Sequence, residues 1–298
     1  MAAMAHEPLR GELQFDEPLA RHTSWRVGGP ADRFYRPADK EDLAAFLQSL
    51  PPGEPVTWLG LGSNVLVRDG GVRGTVIGTQ GRLNAIELLE GDRLRAGAGA
   101  ACAVVARTAA RAGLGGAGFL AGIPGTVGGA LAMNAGAFGG ETWRIVVAVE
   151  TVDRAGVLRR RGPEDFAVGY RSVRGPVGEW FVEGEFQCGA ADVAAEQQRI
   201  RDLLARRAAT QPTGLPSGGS TFRNPEGDHA ARLIEAAGLK GFRIGGAEVS
   251  PKHANFVINA HGASAADIEA LIAHMRATVA ERFGVDLVTE VKLIGEPA

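Results

Sequence analysis

Glycine placement constrains this chain more than any other feature of its sequence. The 43 glycines, about twice the ordinary share, gather in residues 60–81, 91–140 and 214–246. Segments of that kind favour turns and close backbone approach, because a residue without Cβ leaves the main chain accessible. Two of them are loops with a definite setting. "GLGSN" (60–64) lies between β-patterned runs, and "GIPGTVGG" (122–129) opens a short helix of small residues. Both present backbone amides, and the second adds a helix N-terminus suited to an anion. Neither is a Walker A loop, since no Gly-Lys-Ser/Thr follows, and neither has the strand, helix and distal acid of a dinucleotide fingerprint. Singly, each reads as a turn. Together, with Ser63, Asn64 and Thr126 as extra donors, they point to a diphosphate-bearing ligand, and so to a large cofactor.

The remaining composition excludes several classes. With 298 residues there is material for two or three domains. Lys plus Arg (32) nearly balances Asp plus Glu (34), which leaves neither a basic nucleic-acid footprint nor an acidic tail. Apolar stretches such as Phe181–Phe186 are too short to span a bilayer. Met1–Glu12 lacks the basic-then-apolar pattern of a signal peptide. Cys102 and Cys188 stand far apart with no CxxC, which suggests neither a metal site nor a disulfide framework. A soluble, cytoplasmic protein is expected, binding neither nucleic acid nor membrane and acting as a monomer.

Along the chain, Asp39 is placed to cap a helix that runs to Leu50 and stops at Pro51-Pro52. Val65–Val67 and Val72–Ile77 flank Asp69-Gly70-Gly71, which predicts a hairpin. Residues 101–113 read as a helix, 145–161 as a second hairpin around Asp153–Gly156, and 191–209 as a charged amphipathic helix. Thr210–Gly219, rich in Pro and Gly, is the clearest boundary. Beyond it, a helix near Asp228–Ala237, a strand at Asn255–Asn259, a long helix capped by Ser264 with Asp267, and a last strand "DLVTEVKLIG" predict an α+β C-terminal domain. The domain reading is 1–78, 79–209 and 210–298.

Several motifs in order carry a resemblance. "TSWRVGGPAD" (23–32), "LGLGSNVLV" (59–67), "AGIPGTVGGALAMNAGAFGGE" (121–141), "YRS" (170–172), "PSGGSTFRNP" (216–225), "GLKGFRIGGAEVSPKHANFVIN" (238–259) and "EVKLIGE" (290–296) resemble the UDP-N-acetylenolpyruvoylglucosamine reductase (MurB) family. The short route from Tyr170 to the C-terminal domain is similar to its type II form. The resemblance implies an α+β chain: an FAD-binding fold of the vanillyl-alcohol oxidase / p-cresol methylhydroxylase type in two lobes (1–78 and 79–209), plus a substrate domain (210–298). It implies FAD and NADPH as cofactors and a UDP-sugar as substrate, with no metal. FAD is then expected at Leu59, Gly60, Leu61, Gly62, Ser63, Asn64, Val65 and Leu66. A second set comprises Gly122, Ile123, Pro124, Gly125, Thr126, Gly128, Gly129, Ala130, Asn134 and Gly136.

Ser220, in "PSGGSTFRNP", is a poor nucleophile on residues alone, because G-x-S-x-G needs glycine where Phe222 stands. A serine in a linking turn is the plain alternative. The resemblance implies a proton donor instead. NADPH reduces FAD, flavin N5 delivers hydride to C3 of the enolpyruvyl group, and Ser220 protonates C2. Charge developing at C2 spreads into the adjacent carboxylate and must be stabilised as it forms. Arg171 suits that carboxylate as a permanently charged fork, and Glu290 is expected on its other side. On residues alone Arg171 is also a surface arginine. Glu290, on a strand 286–294, is also a solvated glutamate paired with Lys292.

The family pattern Tyr-Arg-x-Ser is here Tyr170-Arg171-Ser172, so Ser172 has no assigned role. For the UDP-sugar, Tyr170, Asn224, Lys240, Arg243, Lys252, His253 and Asn255 are the candidates, since a diphosphate takes two or more such donors. Ordinary surface charge and a structural histidine are the alternatives there, while Phe222, Phe242 and Phe256 are expected in the core. An FAD-dependent oxidase of the same fold, with flavin tethered through His22 or His6, is the competing enzyme. A nucleotide-binding regulatory protein and a UDP-sugar transferase are the further alternatives.

Overall fold

The structure is a computed structural model and describes residues 8–298; Met1–Glu7, which include His6 and most of the segment read for a signal peptide, lie outside the described residues. The chain divides by compactness into two units assembled from non-consecutive stretches. The first takes residues up to Gln14, Arg33–Gly60 and Gly74–Leu203, and the second takes Phe15–Asp32, Leu61–Arg73 and Leu204–Ala298.

In the first unit, helix α1 (Lys40–Ser49) starts where Asp39 accepts a hydrogen bond from the amide of Asp42 and stops ahead of the proline pair. Its apolar side, with Leu43, Phe46 and Leu47, packs with Tyr35, Ile77, Val152 and Val182 in one buried cluster. Val56–Leu59 runs parallel to Val72–Gly78. An antiparallel sheet of five strands follows, in the order Leu158–Arg161, Val146–Asp153, Glu179–Gln187, Arg93–Gly97 and Ile86–Leu89. Two short helices, α2 (Cys102–Arg111) and α3 (Val127–Met133), carry the small residues of the glycine-rich block. Asn134 ends α3 in the left-handed conformation, φ 46°.

Helix α4 (Val193–Thr210) leads on to the C-terminal elements. In the second unit, α5 (Ala230–Ala236) and α6 (Ala265–Phe283) pack with Trp25, Leu66, Phe222, Val249 and Val257 in a continuous core. Ser264 and Asp267 form a reciprocal capping box at the start of α6. A three-stranded antiparallel sheet, Arg243–Ile244, Ala247–Val249 and Val257–Asn259, completes this core.

Three expectations are corrected here. Val65–Val67 and Val72–Gly78 do not form a hairpin: the former pairs in parallel with Lys292–Ile294 and the latter with Val56–Leu59. Asp69 does lie in a turn, closed by the Gly71 amide on Arg68 O at 3.0 Å, and its side chain also accepts the amides of Ala265 and Ala266 at 2.9 Å, which anchors the first turn of α6. The last strand is only Lys292–Ile294, so Glu290 precedes it rather than alternating along it with Val288 and Lys292. Phe242, expected in the core, is exposed and stacks on His274.

Candidate active site

Arg171 occupies the tip of a hairpin. Ala167–Gly169 pairs with Ser172–Arg174, which leaves Tyr170 and Arg171 as a two-residue turn, and Arg171 takes φ 51°. A left-handed, non-glycine residue of this kind persists only where surrounding contacts hold it. Those contacts are present. The guanidinium donates to the carbonyl of Gly136 at 3.0 Å and of Asn134 at 3.4 Å. Asn134 also donates to the carbonyl of Gly169 at 3.1 Å and accepts the amide of Trp143 at 3.1 Å. The Asn134 side chain, expected at the cofactor, thus ties the end of α3 to the base of the arginine hairpin. Ser172 is the register partner of Gly169, and Tyr170 stays exposed with the Arg171 guanidinium 5.6 Å from its ring centre.

The loop 122–129 is built differently from its sequence reading. The amides of Val127 and Gly128 donate to the carbonyls of Ala100 and Ala98, at 2.9 and 2.8 Å. The first amides of α3 are therefore engaged by the backbone, and the helix end is a weaker anion site than expected. What the glycines allow is close approach. A Cβ on Gly60 would lie 2.4 Å from Thr126 Oγ1, and one on Gly128 would meet Ala98 at 3.0 Å. A cavity of about 140 Å³ opens beside them, lined among others by Trp58, Thr126, Trp180 and Phe181. The indole N–H of Trp58, although buried, has no hydrogen-bond partner in the protein. An apolar cleft edged by glycines, with one unsatisfied donor, fits a large aromatic cofactor. Trp58, Trp180 and Phe181 had no signal in the sequence beyond being strand aromatics, because only the fold brings residues 58 and 180 together.

In the second unit, Ser220 and Glu290 come from segments stitched together by backbone. Phe222 bridges to Thr289, the amide of Arg223 donates to Val288 O at 2.9 Å, and the amide of Glu290 donates to Thr221 O at 2.8 Å. Asn64 donates to the carbonyl of Glu290 at 3.1 Å and accepts the amide of Lys292 at 3.0 Å. Asn255, 3% exposed, grips the same loop. Its side chain donates to Phe222 O at 2.8 Å and accepts the amide of Phe222 at 3.0 Å, while its own carbonyl accepts the amide of Thr221. Asn255, a substrate candidate by sequence, therefore acts on the serine loop itself. Gly218 lies flat on Trp25, where a Cβ would come within 2.4 Å of the ring, and Gly219 takes φ 75°.

The basic candidates have partners inside the chain. Lys240 pairs with Glu235 at 2.7 Å, Arg243 pairs with Glu248 at 2.8 Å, and Lys252 reaches the carbonyl of Ala208. Asn224 accepts the amide of Ala230 at the start of α5. His253 packs edge-on to Phe256; burial lowers its pKa below the ordinary histidine value, which favours the neutral ring. His22 lies 2.8 Å from Glu17. Among the described residues, no group of three or more His, Cys, Asp or Glu is placed to hold a metal. No described helix is long and apolar enough to cross a membrane.

Two family models match most of the chain. Residues 31–162 match the FAD binding domain family, and residues 211–294 match the C-terminal domain of UDP-N-acetylenolpyruvoylglucosamine reductase. The chain is thus an FAD-dependent oxidoreductase. It is 64% identical over 286 residues to the UDP-N-acetylenolpyruvoylglucosamine reductase of Alkalilimnicola ehrlichii, covering 96% of each chain. It is 60% identical to that of Methylococcus capsulatus, covering 99% of this chain and 97% of the relative. The crystal structure of the reductase (MurB) from Thermus caldophilus superposes with a TM-score of 0.82 at 33% identity, over 96% of this chain and 99% of that one. The chain belongs to the UDP-N-acetylenolpyruvoylglucosamine reductase family.

Proposed function

We propose that the chain reduces UDP-N-acetylglucosamine enolpyruvate to UDP-N-acetylmuramate with NADPH, in peptidoglycan precursor synthesis, with Arg171, Ser220 and Glu290 as its catalytic residues. FAD, held by Leu59–Leu66 and by the segment from Gly122 to Gly136, supplies hydride chemistry at C3 of the enolpyruvyl group when bound. The chain's own residues manage charge and proton. Arg171 pairs with the substrate carboxylate, and its bonds to the carbonyls of Asn134 and Gly136 set the fork before substrate arrives. Because a guanidinium stays charged, it stabilises the anionic carboxylate throughout.

Ser220 Oγ gives its proton to C2, and solvent restores it. A serine hydroxyl is a weak acid, so this step needs the strongly basic carbon that forms at C2. Glu290, in its protonated form, donates a hydrogen bond to the same carboxylate as its electron density rises. The observation that carries the reading is the bond from the Glu290 amide to Thr221 O, which fixes the backbone of Glu290 against the residue after Ser220. The UDP portion falls to Tyr170, Asn224, Lys240, Arg243, Lys252 and His253, where binding has to displace the present ion pairs of Lys240 and Arg243. On this reading the segments 1–78 and 79–209 serve the cofactor and 210–298 the substrate, in a cytoplasmic monomer.

The test is an anaerobic visible spectrum of the purified chain. A yellow protein that bleaches with NADPH and recolours with the enolpyruvyl UDP-sugar is the expected result. A flavin that bleaches and ignores the sugar removes the substrate assignment.

A further inference from the structure

The segment Thr23–Arg26 has so far no role at the site, yet it touches both of its loops in the second unit. It is a tight turn, closed by the amide of Arg26 on Thr23 O at 3.1 Å and braced by the Thr23 hydroxyl on Val27 O at 2.9 Å. Ser24 and Trp25 are its two central residues. The amide of Ser24 donates to Gly62 O at 3.1 Å, in the loop 60–64 assigned to the cofactor. The Ser24 hydroxyl has a single proton to give. The shorter distance directs it to Ser217 O, at 2.6 Å, rather than to Gly62 O, at 3.2 Å. One half-buried residue therefore ties the cofactor loop to the start of the loop that carries Ser220. Trp25 completes the contact. Its indole N–H donates to Val257 O at 2.8 Å, its carbonyl accepts the Asn259 side chain at 3.0 Å, and its ring lies against Gly218.

The serine loop depends on an anchor at this end. Downstream of Ser220, Asn255 and Glu290 hold Thr221 and Phe222. Upstream, Gly218 and Gly219 separate Ser220 from Ser217, and Gly219 takes φ 75°. Glycine restrains the backbone weakly, so the path into Ser220 is set by what holds Ser217. The strand Val257–Asn259 holds it from one side, through the Asn259 amide on Pro216 O at 2.9 Å and a bridge from Ser217 to Ile258. Ser24 holds it to the cofactor loop. A displacement of about 1 Å at a reacting group is enough to cost about 10²-fold in rate. Resting on the reading of Ser220 as proton donor, we propose that Ser24 is a positioning residue for the proton transfer, in which the Ser220 O–H bond breaks as the C2–H bond forms and solvent reprotonates the oxygen. Ser24 acts through Ser217, by fixing the serine loop against the loop 60–64.

The test separates the half-reactions of the flavin-loaded, full-length chain. Ser24→Ala deletes the hydroxyl and keeps the amide bond to Gly62. Stopped flow is expected to show flavin reduction by NADPH at the wild-type rate. Conversion of the enolpyruvyl UDP-sugar to product by the prereduced protein, in a quenched single turnover, slows about tenfold to a hundredfold. It also shows a larger solvent deuterium effect than wild type, because proton transfer then limits the rate. Ser24→Thr, which retains a hydroxyl, restores product formation. Ser24→Cys, close in size but a weak donor, falls between the two and serves should Ser24→Ala not fold. Melting temperature and retained flavin report any purely structural loss in each variant. Wild-type product formation in Ser24→Ala, an unchanged solvent effect, or equal slowing of both half-reactions in any variant overturns the proposal. Ser220→Ala that forms product at the wild-type rate overturns instead the proton-donor reading beneath it.

Discussion

The segments 122–129 and 216–220 are both glycine-rich, yet they solve different problems. In the first, glycine removes side chains so that backbones can approach: Gly128 sits against Ala98, and neighbouring amides are consumed by Ala98 and Ala100 carbonyls. The product is a rigid edge beside a cavity. In the second, Gly218 lies on the face of Trp25 and Gly219 turns with positive φ, after which Thr221 and Phe222 enter a lattice of bonds from Asn255 and Glu290. The product is a backbone held fast at Thr221 and Phe222, directly after Ser220. A glycine-rich stretch thus acquires its meaning from what crosses it: backbone carbonyls in one case, side-chain amides and a distant strand end in the other.

The sharpest way to break this contrast is Ser220→Ala. If the second loop exists to present a proton donor, turnover falls by about 10²–10⁴ while NADPH still bleaches the flavin. Normal turnover in stopped-flow assays would reduce the loop to a linker. Asn255→Ala comes next. It removes two buried hydrogen bonds to Phe222 and is expected to cost about 2–3 kcal/mol. Urea unfolding measures the cost, and turnover should fall with it because the serine loop loses its clamp.

Gly60→Ala tests the first loop. The added methyl meets Thr126 Oγ1, for an expected loss of about 1–3 kcal/mol in stability together with weaker FAD retention. Thr126→Ala should recover much of that loss, and a double variant no better than Gly60→Ala would refute the steric account. Asp69→Ala removes the carboxylate that accepts two amides at the start of α6, with an expected cost of about 1 kcal/mol in thermal melts.

The smallest effect is acid sensitivity at the same helix. The amides of Ser264 and Gly246 hold the Asp267 carboxyl below its ordinary pKa. A lowered folded pKa means stability that is present above the unfolded value, near ~4, and lost as pH falls through the folded one. Asp267→Asn should therefore show a shallower loss of stability between about pH 5 and 2 than wild type. Parallel acid-unfolding curves for the two would contradict this.

Much of the local structure was legible in the chain. Asp39 and the proline pair bracket α1, Ser264 and Asp267 open α6, and Gly284 closes it in the left-handed conformation. These features depend on contacts a few residues apart, which residue type and spacing express directly. The failures share a cause. Asp69-Gly70-Gly71 has the composition of a hairpin turn, but the strand after Ser63-Asn64 pairs with Lys292–Ile294 from the far end of the chain. Glu290 was misplaced on a strand for the same reason, because its backbone partner is Thr221.

The candidate site divides along that line. Its residue types and order were visible in "GLGSN", "GIPGTVGG", "YRS" and "GGSTF", since backbone freedom and functional groups are properties of short segments. Only the tertiary structure decided that Asn134 and Asn255 work as clamps, that Lys240 and Arg243 are already paired, and that Trp58 and Trp180 share one cavity. A side chain's propensities belong to its own few bonds; its partner depends on which distant segment the cooperative collapse of the core brings beside it.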